Sequence, residues 1–149
     1  MRKIIVMCAV AIIFAGCGNG SGEGRNRPGD AGILVIGERF FVHQVHDIWL
    51  NTSQFLGRTI QYEGIFRTVH WRPTGYDHIV IRYTVSCCGE VPIGFYILLS
   101  DSFYPLPPED AWVEITGVVE IHEGELMVRA VSLIEMEERG AGFVEFGWR

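Results

Sequence analysis

The chain has 149 residues, 48% of them hydrophobic and 20% charged, with a formal net charge of −6. That length suits one domain with a single core. The acidic balance opposes phosphate backbones and argues against nucleic acid as a partner.

Arg2 and Lys3 form a short basic start, followed by an apolar run of 11 residues from Ile4 to Phe14. The run is too short to span a bilayer as a helix and reads as the apolar region of a signal peptide. It ends in Phe14-Ala15-Gly16-Cys17, the pattern of a lipobox. Cleavage before Cys17 would make it the acylated N-terminus, each buried methylene adding about 0.8 kcal/mol to membrane affinity. Residues 1 to 16 are therefore expected to be a lipoprotein signal peptide, and residues 17 to 32 the lipidated Cys17 and a flexible tether. The tether is dense in glycine and polar residues and cannot bury enough surface to order itself. Loss of Arg2 and Lys3 leaves 10 of the 12 basic residues against 18 acidic ones, a formal charge of −8 on the mature chain. The expected location is the bacterial cell envelope, anchored to a membrane with the domain outside the cytoplasm.

The folded domain is expected over residues 33 to 149. Ile33 to Ile36 and Arg39 to Val45 read as β-favouring runs, the second able to continue into a helix. Asn51-Thr52-Ser53 suits the start of one short turn that Gly57 ends. From Arg58 the period is two: Ile60, Tyr62, Gly64 and Phe66 face inward. Pro73-Thr74-Gly75 turns the chain. His78 to Ser86 resumes the alternation, with Ile79, Ile81, Tyr83 and Val85 read as inward and Arg82 and Thr84 as outward. Phe95 to Leu99 is apolar on both faces, and a proline-rich loop follows at Tyr104 to Pro108. Val113 to Ile121 and Leu126 to Ile134 complete five strong strands, joined by the turn Glu123-Gly124. Gly64 and Gly117 stand within inward rows, where glycine marks a bulge or sharp bend. Five strands bent at glycine predict an all-β domain, a small OB-like Greek-key barrel, with an open sandwich as the alternative.

Cys87-Cys88-Gly89-Glu90 is the unusual constellation of the domain. Continuing the strand parity would turn Cys87 into the core and Cys88 outward, whereas a strand ending at Gly89 would let the thiols converge. The structural reading makes Cys87 a small buried hydrophobe. A second reading gives a zinc or copper ion to Cys87 and Cys88, joined by Glu90 or His78. A third makes Cys87 and Cys88 a redox pair, although they lack C-x-x-C spacing. His43 and His46 would share a face only on a helix, and His70 and His122 lie beside turns. Trp71, Trp112 and Trp148 are candidates for a contact surface or for packing. No nucleophile elbow, phosphate loop or dinucleotide fingerprint is present, and Glu135 to Glu138 reads as a solvated strand end, so no catalytic residue is assigned.

Tyr62-Glu63-Gly64-Ile65-Phe66, Ile81-Arg82-Tyr83 with Cys87-Cys88, and Asp110 to Gly117 together resemble the C-terminal domain of the YcgQ-like, permease-associated proteins. The resemblance spans Leu50 to Glu137. It implies an OB-like barrel and a place beside membrane transport, here with a lipid anchor and tether where the family's usual protein has transmembrane helices. The expected function is a non-enzymatic, membrane-tethered binding module that takes a metal ion or serves a permease or other envelope protein. A thiol redox protein and a structural envelope lipoprotein are the alternatives.

Overall fold

The structure is a computed structural model that describes residues 32–72 and 75–145. The signal, Cys17 and nearly all of the tether lie outside the described residues, as does Trp148. β1 (Leu34–Val35) leads through a 3-10 turn at Glu38–Phe40 into α1 (Phe41–Leu50) and the single turn α2 (Thr52–Phe55). Five strands follow: β2 (Thr59–Arg72), β3 (Gly75–Ser86), β4 (Gly89–Leu98), β5 (Trp112–His122) and β6 (Glu125–Glu135).

The strands pair in the order β2-β3-β4-β6-β5, and β5 returns to β2, closing a five-stranded barrel. β4 and β6 run parallel, and the other barrel pairs are antiparallel. This is the OB-like barrel expected from the alternating pattern. β2 is long enough to serve two partners. Its first half, Thr59 to Ile65, pairs with β5, and its second half, from Ile65, pairs with β3. Gly64 sits at that handover, where an added Cβ would come within 2.8 Å of the Ile81 carbonyl oxygen. Gly117 stands at the register shift between β5 and β6, a bulge that bends the strand.

Arg39 to Val45 belongs to a helical segment, not to a strand. Phe41, Val42, Val45 and Ile48 recur at helical spacing, and all four are buried. They enter the barrel core beside Ile60, Tyr62, Phe66, Val80, Phe95 and Val113, so α1 plugs one end. At the centre, the Tyr62 ring lies 5.8 Å from both Phe41 and Phe95, and its hydroxyl donates to the Val80 carbonyl at 3.0 Å. Burial raises the Tyr62 hydroxyl far above its ordinary pKa, so it remains a donor at every physiological pH.

The expected parity of β3 is also corrected. Val80, Arg82 and Thr84 are buried, while Val85 is 57% exposed. Alternation misleads here because both faces of β3 are covered. Ile81 packs with Ile65 and Trp112 in a second cluster outside the barrel. The segment after β6 covers this cluster. Met136 N–H donates to the Trp112 carbonyl, Tyr83 N–H donates to the Gly142 carbonyl, and Val144 N–H donates back to the Tyr83 carbonyl. Val144 itself is buried in the main core.

Gly94→Ala should be the most costly small substitution in the sheet, because its Cβ would meet the Val80 carbonyl oxygen at 2.2 Å. A loss of about 2–4 kcal/mol is expected in urea unfolding, against less than about 1 kcal/mol for Gly37→Ala, which meets nothing within 4 Å.

Candidate functional site

β3 and β4 form one long hairpin whose register runs without interruption from His78 opposite Ile97 to Ser86 opposite Gly89. Only Cys87 and Cys88 lie between the strands, so the turn is made of the two cysteines themselves. Gly89 takes a φ of +121°, a conformation that a side chain resists, and this allows the chain to reverse immediately. Ser86 fastens the tip: its hydroxyl accepts from Cys88 N–H at 3.2 Å and donates to the Gly89 carbonyl at 3.1 Å.

Both cysteines are exposed, and their sulfurs stand 3.5 Å apart. The structural reading that buries Cys87 is therefore corrected. Strand parity ends with Ser86, and within the turn neighbouring side chains no longer alternate across a sheet.

The other proposed ligands are not gathered equally. Glu90 is exposed and paired with Val85, one step below the tip. His78 lies eight residues before Ser86, about 26 Å away at the rise of an extended strand. Its ring stacks on Phe66 with centroids 5.4 Å apart, and its Nδ1 lies 3.2 Å from the Thr68 hydroxyl. The structure thus separates His78 from the cysteine pair. His43 and His46 share the helix α1 and therefore lie on one side of it, contrary to the strand reading. Among the described residues, no group of three or more His, Cys, Asp or Glu side chains is placed to hold a metal ion. Trp112 is buried, and it packs instead of forming a contact surface. Glu137 and Glu138 are exposed, as a solvated end requires.

Arg82 lies five residues before Cys87 on the same strand, and the alternation does not announce its burial. Its side chain is 3% exposed. The guanidinium carbon stands 4.9 Å from the centroid of Phe41 and 5.0 Å from that of Trp112. Nε donates to the Glu63 carbonyl at 2.8 Å, and Nη1 lies 3.6 Å from the Glu38 carboxylate. Burial draws the guanidinium below its ordinary pKa, while the charges of Glu38 and Glu63 oppose that shift. Glu63 also accepts from the Trp112 indole at 3.0 Å. The residue that bears the resemblance of Ile81-Arg82-Tyr83 is thus an internal strut beneath the thiol hairpin.

Beside the hairpin, an apolar groove of about 490 Å³ opens between α1 and the outer face of β3 and β4. Trp49, Ile79, Ile81, Pro92, Tyr96 and Leu126 line it, and Glu125 is its single acidic residue. Its size lies within the range of small-molecule sites. In OB-type barrels the face of the second and third strands, here β3 and β4, is the usual ligand surface.

The model of the DUF1980 C-terminal domain matches residues 24–140, in agreement with the resemblance to the YcgQ-like C-terminal domain. No curated protein matches the chain. Among solved structures, the chain is similar to yeast RPA bound to ssDNA, with 13% identity and a TM-score of 0.45 over 74% of this chain and 80% of that one. A replication protein A heterotrimer bound to ssDNA is similar at 12% identity and a TM-score of 0.32, over 56% of this chain and 60% of that one. The exclusion of nucleic acid drawn from acidic charge is overturned by these similarities, since the structures found are themselves DNA complexes. At these identities and TM-scores the likeness assigns no ligand to this chain.

Arg82→Lys keeps the charge but loses the planar face between two rings and the directed bond to Glu63. It should lower the unfolding free energy by about 1–3 kcal/mol in chemical denaturation. Tyr62→Phe should cost about 1–2 kcal/mol, because the buried Val80 carbonyl loses the hydroxyl that it accepts from.

Proposed function

We propose, from the premise that this chain belongs to the DUF1980 C-terminal domain family, that it is a non-enzymatic binding module. It is held outside a bacterial membrane by lipid on Cys17 and presents a thiophilic metal ion on the Cys87-Cys88 hairpin tip, in the service of a permease or another envelope protein. The observation that carries this reading is the pair of exposed sulfurs 3.5 Å apart on a fastened turn.

Zinc–thiolate bonds of about 2.3 Å at tetrahedral angles set neighbouring sulfurs about 3.8 Å apart, close to the 3.5 Å between these two, so the pair can share one zinc ion. Two thiolates fill half of a zinc coordination shell, and the other half faces outward.

A redox role is the second reading, favoured by the exposure of both sulfurs. One thiolate would attack a partner's disulfide, and the neighbouring thiol would displace the mixed disulfide. The pair would then be a disulfide and the partner would hold two thiols, having received two electrons and two protons.

Zinc titration of the reduced full-length chain, with a non-thiol reductant present, should give a site that Cys87→Ser/Cys88→Ser weakens by at least about 100-fold, more than the loss of outer-shell partners costs. The affinity should fall as pH is lowered, because protons compete for both thiolates. Equal affinity in the double variant removes the metal reading. A reversible loss of two hydrogen masses on exposure to a disulfide, without zinc binding, favours the redox one.

The anchor rests on Phe14-Ala15-Gly16-Cys17. Cys17→Ala should move the protein from the membrane to the soluble fraction or leave it as unprocessed precursor. Fractionation with metabolic acyl labelling reads the outcome, and an acylated variant would overturn the anchor.

A further inference from the structure

We infer that a second copy of this chain completes the metal site, so that two hairpin tips enclose one zinc ion in a four-thiolate centre on a two-fold axis. The inference rests on the metal reading of Cys87 and Cys88 and adds the source of the remaining ligands.

Coordination chemistry sets the need. A closed zinc site takes four ligands, and the tip supplies two. Among the described residues no third ligand is gathered with the pair: Glu90 is held one step below the tip opposite Val85, His78 is held against Phe66, and no group of three ligating side chains is formed. A second tip brings the same two thiolates, and the two-fold arrangement makes all requirements mutual, as an isologous contact demands. With sulfurs 3.5 Å apart in each copy, bonds of about 2.3 Å give an S–Zn–S angle of about 99° within each pair. That leaves the opposite edge of the tetrahedron for the partner pair.

The surroundings permit the approach. The tip projects beyond the barrel on a two-stranded ribbon, and its neighbours Ser86 and Gly89 are small. Val85 and Val91 are 57% and 36% exposed, and their pairing with Glu90 and Thr84 places them on opposite faces of the ribbon. Val85 on one face and Val91 on the other are the apolar side chains that an incoming copy would meet. Charge makes the contact conditional on the ion. Each chain is acidic, and Glu90 stands beside each thiol pair, so two metal-free tips repel one another. Zinc offsets two of the four thiolate charges and supplies the bonds that oppose the repulsion. The resulting association is switched by free zinc, and the two domains meet tip to tip.

The test is native mass spectrometry and light scattering of the full-length chain in detergent with a non-thiol reductant and zinc alone. Micelles must be in excess, so that chance sharing of one micelle is rare. A dimer with one zinc per two chains, reversed by a chelator and absent in Cys87→Ser and Cys88→Ser, is the expected result. A monomer that binds one zinc per chain overturns the two-copy site while leaving the metal reading intact. A zinc-dependent dimer that survives the double substitution also overturns it, because the ion would then bridge elsewhere. No zinc binding at all overturns both.

Discussion

A guanidinium held between two aromatic rings organises this molecule. Arg82 joins parts of the chain that are remote in sequence: Glu38 and Phe41 near the helical plug, Glu63 on β2 and Trp112 at the start of β5. Burying an arginine is unfavourable unless its charge and donors are met. Here the Glu63 carbonyl takes Nε, the Glu38 carboxylate and two ring faces answer the charge, and Nη1 is left without a hydrogen bond. Glu38 extends the same network to the chain's other end by accepting from Ala141 N–H at 3.5 Å. The plug, the barrel wall and the covering C-terminal segment are therefore set relative to one cation.

The thiol hairpin inherits its geometry from that strut. Arg82 is fixed five residues before Cys87, and the Ser86 hydroxyl closes the turn from within. The backbone of the tip is consequently presented in a defined direction. Preorganisation of this kind lowers the entropy lost when a ligand or partner binds. The apolar groove beside the hairpin shares Ile79 and Ile81 with the cluster around Trp112, which the strut also touches.

β4 was legible because it is apolar on both faces, and β2 and β5 because their residues alternate with a period of two. Gly117 was legible as a bulge for the same reason. The helix α1 carried a readable pattern in Phe41, Val42, Val45 and Ile48, but the β-favouring residues Phe40 to Val45 masked it. The parity of β3 was not readable, since Ile79, Ile81 and Tyr83 are covered by a segment some fifty residues later in the chain. Arg82 was read as outward because an arginine on an alternating strand usually is, and nothing local announces two rings and two carboxylates supplied from elsewhere. The cysteines were recognised as a pair, yet their convergence depended on where the strand stopped, which Ser86 and Gly89 decide.

The order of the strands bears on how the chain acquires its fold. The β3–β4 hairpin joins neighbours in sequence, whereas the barrel closes through pairing of Thr59–Ile65 with Trp112–Val118, across an intervening stretch that holds β3 and β4. Loop closure of that span costs entropy before any contact repays it, so non-local pairing of this type slows folding. Trp112 reaches Arg82 only when that closure occurs, and the cover over Trp112 arrives with the final residues. The charged strut is thus completed late, and a chain emerging end first presents its thiol turn before it possesses a sealed interior.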